Sequence, residues 1–134
     1  MATHERLNPS GLFDAGVLAY TQVMKSRGET IVHIAGQAAL SASLEVIGAN
    51  DFEAQTRACF ENLGIALQGA GATPTDVASL RIYVVGHRAE YVPILKEALL
   101  GFFGADALPP GTLVGVASLA MPELLIEIEA TAVV

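Results

Sequence analysis

Two glutamates near the C-terminus have the spacing that best suits chemistry. Glu127 and Glu129 are two residues apart in a segment that alternates like a β-strand, so both side chains are expected to face the same way, about 7 Å apart. Paired carboxylates at that distance can act as a general acid and a general base. The plainer interpretation is that they solvate an exposed strand face, and spacing alone favours it.

The other reactive residue types lack partners at a useful spacing. None of His4, His33 and His87 has a second ligand at i, i+4, and no cysteine or carboxylate falls at metal-ligand spacing, so no metal site is predicted. Cys59 lies on an apolar helical stripe and is interpreted as an inert core thiol. No nucleophile elbow and no phosphate-binding glycine loop is found. The residues by themselves therefore indicate no reaction.

The composition excludes several classes of protein. Hydrophobic residues make up 52% of the 134-residue chain and charged residues only 16%, which predicts one domain over residues 1–134 that self-associates to cover its apolar surface. A formal net charge of −7 argues against nucleic-acid binding, which depends on neutralising phosphates. With a single cysteine, no signal peptide and no membrane-spanning apolar run, we expect a cytoplasmic protein with no membrane partner.

Hydrophobic periodicity and turn residues divide the chain into seven elements. Strands are predicted over Val17–Met24, Thr30–Ile34, Leu80–Val85, Thr112–Val116 and Leu124–Val134, and helices over Asn50–Gly71 and Glu90–Phe103. The first two strands are expected to pair as a hairpin across the Gly28 turn, and Asn50 is expected to cap the first helix. The order predicts an α+β fold, with a single mixed sheet and two helices on one face. The other sheet face then needs a partner subunit.

Short segments along the chain, taken together, resemble the RidA/YjgF family, also labelled endoribonuclease L-PSP. The matching segments are Arg6-Leu-Asn-Pro9, Ala19-Tyr20-Thr21-Gln22, Ile34-Ala35-Gly36-Gln37, Asp51-Phe52-Glu53-Ala54-Gln55, Glu61-Asn62-Leu63, Ala70-Gly71, Val114-Gly115-Val116 and Ile126-Glu127-Ile128-Glu129-Ala130. The resemblance implies a chorismate-mutase-like α+β fold and a homotrimer that binds a small-molecule ligand in clefts between its subunits. It also implies a deaminase that hydrolyses enamines and imines without a cofactor.

The same resemblance assigns residues to the cleft. Tyr20 matches a family tyrosine that lines it, and Glu127 matches the glutamate that handles the attacking water. Ala35, Gly36 and Gln37 match the family's S-G-Q segment, with alanine in place of serine. From the residues alone, Gly36 and Gln37 are interpreted as a turn in which Gln37 bonds locally or contacts a ligand.

The family's carboxylate-binding arginine has no counterpart in this chain. Gly111 stands at its position, followed by Thr112. The backbone N–H groups of these two residues could bind an anion weakly. Arg81, Arg88 or Lys96 of a neighbouring subunit could supply the missing charge, although the plainer interpretation makes all three solvated surface charges.

Three functions stay open on the sequence. The first is a deaminase-type hydrolase of altered substrate preference, with Glu127 as its catalytic residue. The second is a family member that binds a metabolite without turning it over, as the loss of the arginine suggests. The third is an endoribonuclease, which the net charge and the lack of a histidine pair disfavour.

Overall fold

Four strands form a mixed sheet that carries both helices of the chain on one side. The computed structural model describes all residues 1–134. Its strands are β1 (Thr3–Leu7), β2 (Val23–Arg27), β3 (Ile31–Ala38), β4 (Val77–Val85), β5 (Gly111–Val116) and β6 (Ile126–Val133), and its helices are α1 (Phe52–Gly69) and α2 (Tyr91–Phe103). The sheet order is β3-β6-β4-β5, with β4 and β5 parallel and the other pairs antiparallel. The predicted α+β fold of two helices on a mixed sheet is confirmed, but the sheet is not single, because β1 and β2 form a separate two-stranded sheet.

The last strand divides the sheet into a covered and an open face. Ile126, Ile128, Ala130 and Ala132 are buried in the main hydrophobic core with residues of both helices. The residues between them are only half-buried, because successive side chains of a strand point to opposite faces. Glu127 and Glu129 therefore lie on one face of the sheet, as their spacing predicts.

The predicted hairpin between the second and third strand segments is wrong. β2 pairs with β1, which the sequence analysis did not predict, and β3 pairs with β6 instead. The early part of the predicted strand is a single 3-10 turn over Ala15–Leu18. Strand propensity shows that a segment is extended but not which strand it joins, and β6 offers β3 a fully buried apolar row.

The N-cap of the first helix lies one residue later than predicted. Asp51, not Asn50, is the N-cap, and its carboxylate accepts a hydrogen bond from the Ala54 N–H at 3.0 Å. Asn50 has a φ of +61°, a left-handed conformation that asparagine tolerates better than most residues. The sequence predicts an apolar stripe of Phe52, Cys59, Leu63, Ala66 and Ala70; the first three are buried, whereas Ala66 is half-buried and Ala70 is exposed at the end of the helix.

The second helix packs beside the first through aromatic rings. Its buried residues are Leu95, Leu99 and Phe103, and the ring of Tyr91 at its start stacks on Phe52 with 3.7 Å between centroids. Such pairs add about 0.5–1.5 kcal/mol beyond the area they bury. Neither helix combines the length and apolar character that crossing a membrane requires.

Gln55 is a fully buried polar residue in the middle of this packing. Its amide nitrogen donates to the Gly48 carbonyl at 3.2 Å and to the Glu123 carbonyl at 2.9 Å, and its amide oxygen accepts from the Leu125 N–H at 2.8 Å. One side chain thereby joins α1 to the loop that follows β3 and to the loop that precedes β6.

We predict that Gln55→Met, which keeps the side-chain volume, lowers the free energy of unfolding by about 2–4 kcal/mol. The substitution leaves three partly buried backbone groups without their side-chain partner, and a backbone group buried without any partner costs about 1–3 kcal/mol. Equilibrium urea unfolding at matched protein concentration measures the effect. Gln68→Met, on an exposed position of the same helix, is the control. Equal stability of the two variants would contradict the prediction.

Candidate functional site

The predicted site residues fall into two separate cavities of the chain. The first, here called the β5 cavity, has a volume of about 420 Å³ and lies between α2 and the β4-β5 edge of the sheet. It is lined by Leu18, Ala19, Tyr20, Leu80, Ile82, His87, Val92, Leu95, Lys96, Leu99, Pro109, Gly111, Thr112 and Leu113. Three predicted ligand-binding residues, Tyr20, Gly111 and Thr112, therefore lie together.

A short backbone pairing brings Tyr20 to the start of β5. Thr21 forms an isolated parallel bridge with Pro110, and its N–H donates to the Pro109 carbonyl at 3.1 Å. A Cβ atom added to Gly111 would lie 3.6 Å from the Tyr20 Cβ, in ordinary van der Waals contact. A side chain at position 111 would therefore fit beside Tyr20.

The second cavity, here called the β3 cavity, has a volume of about 480 Å³ and lies at the opposite edge of the sheet. Gly36, Gln37 and Glu127 line it together with residues of α1 and of the loops after β3 and before β6. It shares no lining residue with the β5 cavity. Ala35 lines neither cavity, but its carbonyl accepts a hydrogen bond from the Gln37 side chain at 3.1 Å, the local bond considered for Gln37.

A β-bulge places Gly36 directly against the Glu127 carboxylate. The register of β3 on β6 shifts between Ile34 and Gln37, which leaves one extra residue on β3; bulges of this kind redirect side chains and occur next to active sites. A Cβ atom added to Gly36 would lie 2.8 Å from the Glu127 Cδ. Only glycine leaves room for the carboxylate in this position.

Polar side chains of α1 fix the backbone on both sides of this contact. Asn62 donates to the carbonyls of Ala38 and Leu40 at 2.9 and 3.0 Å, and so holds the end of β3. The Cys59 thiol donates to the Ile126 carbonyl at 3.5 Å, next to Glu127. Burial, and then the negative charge of Glu127, raise the pKa of Cys59 to about 12. The thiol therefore stays protonated and structural, as the sequence indicates.

The two glutamates of β6 have different surroundings. Glu129 accepts a hydrogen bond from the Tyr83 hydroxyl and lies 3.8 Å from the Arg81 guanidinium. The hydrogen bond to Glu129 raises the pKa of Tyr83, and desolvation adds to the shift. Glu127 takes part in none of the side-chain hydrogen bonds or ion pairs of the chain. Its carboxylate is therefore free to bind a water molecule.

Of the three cations considered as replacements for the arginine, only one lines a cavity that contains predicted site residues. Arg81 is occupied by Glu129 on the open face, and Arg88 lies over the Tyr91 ring at 5.1 Å from its centroid. Lys96 lines the β5 cavity. The sequence analysis considered Lys96 only as a residue of a neighbouring subunit, whereas the structure places it in the same cavity as Gly111 of its own chain. His87 was not considered for this cavity. No three His, Cys, Asp or Glu side chains converge as metal ligands.

Comparison with known proteins places this arrangement in a family. The family model described as endoribonuclease L-PSP matches residues 15–134. The structure of YyfB from Yersinia pestis, a protein of unknown function in the conserved Rid family, is similar with 36% identity, 98% coverage of both chains and a TM-score of 0.91. No curated protein matches the chain significantly.

Two further structures extend the comparison. Rv2704 of Mycobacterium tuberculosis, of the YjgF/YER057c/UK114 family, is 31% identical, with 98% of this chain and 100% of that chain covered and a TM-score of 0.65. RidA of an Antarctic Psychrobacter shares the fold at 24% identity and a TM-score of 0.69, with 86% of this chain and 88% of that chain covered. Because the family model spans most of the chain and these relatives cover nearly all of it, the chain belongs to the Rid/YjgF family, the family of the endoribonuclease L-PSP model.

Proposed function

We propose that this chain is a cytoplasmic imine or enamine hydrolase that acts in clefts between the subunits of a homotrimer. The observation that carries the proposal is the Glu127 carboxylate, seated against Gly36 at the β3 bulge and facing a cavity without a hydrogen-bond partner of its own. A carboxylate in this setting can act as a general base toward water. The Rid/YjgF membership of the chain supports the same reaction.

The reaction needs only proton transfers and one water molecule. Glu127 accepts a proton from water as the water oxygen bonds to the carbon of the protonated imine, and the C=N electron pair moves to nitrogen, which leaves a neutral amino group. Glu127 then gives this proton to the nitrogen. The C–N bond breaks as the hydroxyl O–H electron pair forms the C=O bond of the product, and the hydroxyl proton leaves with the ammonia as ammonium. An enamine first becomes the imine by protonation at carbon. No cofactor enters these steps.

The placement of the cavities supports an inter-subunit cleft. Gly36 and Gly111 lie on the two edge strands of the four-stranded sheet, three strand steps of about 4.8 Å apart, or roughly 14 Å. Residues so far apart cannot hold one small molecule within a subunit. They meet if the β3 edge of one subunit docks on the β5 edge of the next, and such heterologous contacts close into rings.

Exposed apolar side chains support the same assembly. Ile31 is 62% exposed and Val114 is 41% exposed on the edge strands, and Phe13, before the 3-10 turn, is 61% exposed. Covering such residues is the usual source of stability in obligate interfaces.

Metabolite binding without turnover is the second candidate. It is favoured by Gly111 in place of the family's arginine, because a lost charge-assisted hydrogen bond weakens substrate binding by about 1.5–3 kcal/mol. Ligand-induced stabilisation without any product would support it. Endoribonuclease activity is not proposed, since neither cavity gathers the cations that a phosphate backbone requires.

We predict that Glu127→Gln reduces kcat for imine hydrolysis by about 100- to 10,000-fold, the usual contribution of a general base. The amide keeps the size of the side chain but accepts no proton. Ammonia release from freshly generated 2-imino acids measures the effect. Glu123→Gln, an exposed acid in the preceding loop, controls for the change in net charge. Unchanged turnover in Glu127→Gln would refute the proposed chemistry.

We predict that Gly36→Ala lowers kcat by about 10- to 100-fold while the fold stays intact, because the new methyl group displaces the Glu127 carboxylate and misplacement of this size is costly to catalysis. Gly69→Ala, with nothing within 4 Å of the added Cβ, should keep wild-type activity. Adding Gly36→Ala to Glu127→Gln should change kcat little further, because both act on one group. Additive losses would show that Gly36 acts in another way.

We predict that the protein sediments at three times the 13.9 kDa chain mass, as a homotrimer requires.

We also predict that two inactive variants restore activity when they are mixed. Gly111→Trp fills the β5 cavity, and Glu127→Gln removes the general base from the β3 cavity. Refolding them as an equimolar mixture should restore about a quarter of wild-type activity, because a quarter of the heterologous clefts then receive two intact halves. If each subunit held a complete site, the mixture would stay inactive.

A further inference from the structure

Lys96 is the only lysine, arginine or acidic residue that lines the β5 cavity. The remaining polar side chains there are those of Tyr20, His87 and Thr112, and nine of the fourteen lining residues are hydrophobic. A lysine that borders such a cavity can extend its ammonium group over the apolar walls, where an anionic partner would stabilise a poorly solvated charge.

The sequence places this lysine on the face of α2 that points to the cavity. Val92, Leu95, Lys96 and Leu99 all line it, at the i, i+3, i+4, i+7 spacing of one helix face. Lys96 is half-buried. It takes part in none of the four ion pairs of the chain, whereas the only other lysine, Lys25, pairs with Glu5 at 2.8 Å. The charge of Lys96 therefore has no protein partner.

The apolar residues that line the cavity with Lys96 favour a particular kind of side chain on the anionic ligand. Leu18, Val92 and Leu113 supply exposed or half-buried apolar surface in the same cavity as the lysine, and the cavity volume of about 420 Å³ falls in the usual range for small-molecule sites. A three-carbon substrate such as 2-aminoacrylate would leave most of this surface uncovered. A ligand with an apolar side chain would cover it and gain from the burial.

We propose that Lys96 binds the substrate carboxylate in place of the missing arginine, and that the preferred substrate is a 2-imino acid with a bulky apolar side chain. This inference rests on the proposed imine hydrolysis and adds the residue and the substrate class. The glycine at position 111 contributes by leaving open the space that an arginine side chain would fill beside Tyr20. Lys96 is thus a binding residue, and Glu127 of the adjoining subunit is the catalytic one.

Turnover tests the substrate class. The 2-imino acids derived from leucine and alanine are generated in place by an amino-acid oxidase, and ammonia release is followed. We expect a higher kcat/KM for the leucine-derived imine. Lys96→Met should lower that kcat/KM by about 10- to 100-fold, mainly through KM, which corresponds to one charge-assisted hydrogen bond. Lys96→Arg should retain most of it, and adding Gly111→Arg to Lys96→Met should restore carboxylate binding.

Binding tests the role of Lys96 independently of turnover. The probes are 4-methyl-2-oxopentanoate, the product from the leucine-derived imine, and its uncharged methyl ester, titrated calorimetrically into the intact oligomer. Lys96→Met should weaken binding of the acid about 10- to 100-fold and leave the ester unchanged. Lys25→Met removes the same charge far from the cavity and should bind both like the wild type.

The outcomes separate the two proposals. If the wild type hydrolyses no imine but binds the oxo acid through Lys96, the proposed reaction fails and the binding inference stands. If the wild type hydrolyses imines and Lys96→Met leaves both KM and oxo-acid affinity unchanged, the inference fails and the reaction stands. If the wild type binds no oxo acid, the inference about Lys96 is overturned. If the wild type prefers the alanine-derived imine, the proposed substrate class is overturned.

Discussion

The structure depends on three side chains of α1 that form hydrogen bonds with the backbone at the ends of two strands. Gln55, Cys59 and Asn62 of α1 follow one another at spacings of four and three residues, so they share a face. Their side chains bind backbone groups at the end of β3 and at the start of β6. At these two points a loop leaves or enters the sheet, so the backbone groups there have no hydrogen-bond partner on a neighbouring strand. The helix thus supplies hydrogen bonds that the sheet cannot.

These hydrogen bonds also determine where the Glu127 carboxylate lies. The bulge on β3 brings Gly36 to Glu127, and the bulge is tolerable because Asn62 satisfies the carbonyls that follow it. Gln55 and Cys59 hold the residues immediately before Glu127. A change in any of the three would shift the carboxylate without touching it, so stability and catalysis are coupled at this end of α1.

The helices and strands of this fold could largely be predicted from local sequence patterns, but which strands pair with each other could not. The alternation of β6 correctly predicted a strand with one buried row, and the apolar stripe of α1 correctly predicted a helix. The pairing of β3 failed because propensity carries no information about partners. Glu127 was found through the family resemblance, while the contact that distinguishes it from Glu129 arises from a bulge that no sequence pattern indicated. Lys96 was one of three cations that the sequence offered in place of the arginine, but only the structure showed which of the three lines a cavity with Gly111.

The proposed role of Lys96 would replace a cation on a strand by a cation on a helix, and this would change what controls the position of the substrate. An arginine at position 111 would be anchored in the β4-β5 ladder, which is fixed by backbone hydrogen bonds. A lysine on α2 is positioned by the packing of that helix, through Leu95, Leu99 and the stack of Tyr91 on Phe52. Lysine also offers a single ammonium on a flexible stem, whereas arginine offers a planar fork. Under this proposal the carboxylate would be held less rigidly, and the apolar walls of the cavity would orient the rest of the substrate toward Glu127 of the neighbouring subunit. Shape would thus replace directional hydrogen bonding as the main source of specificity in this member of the family.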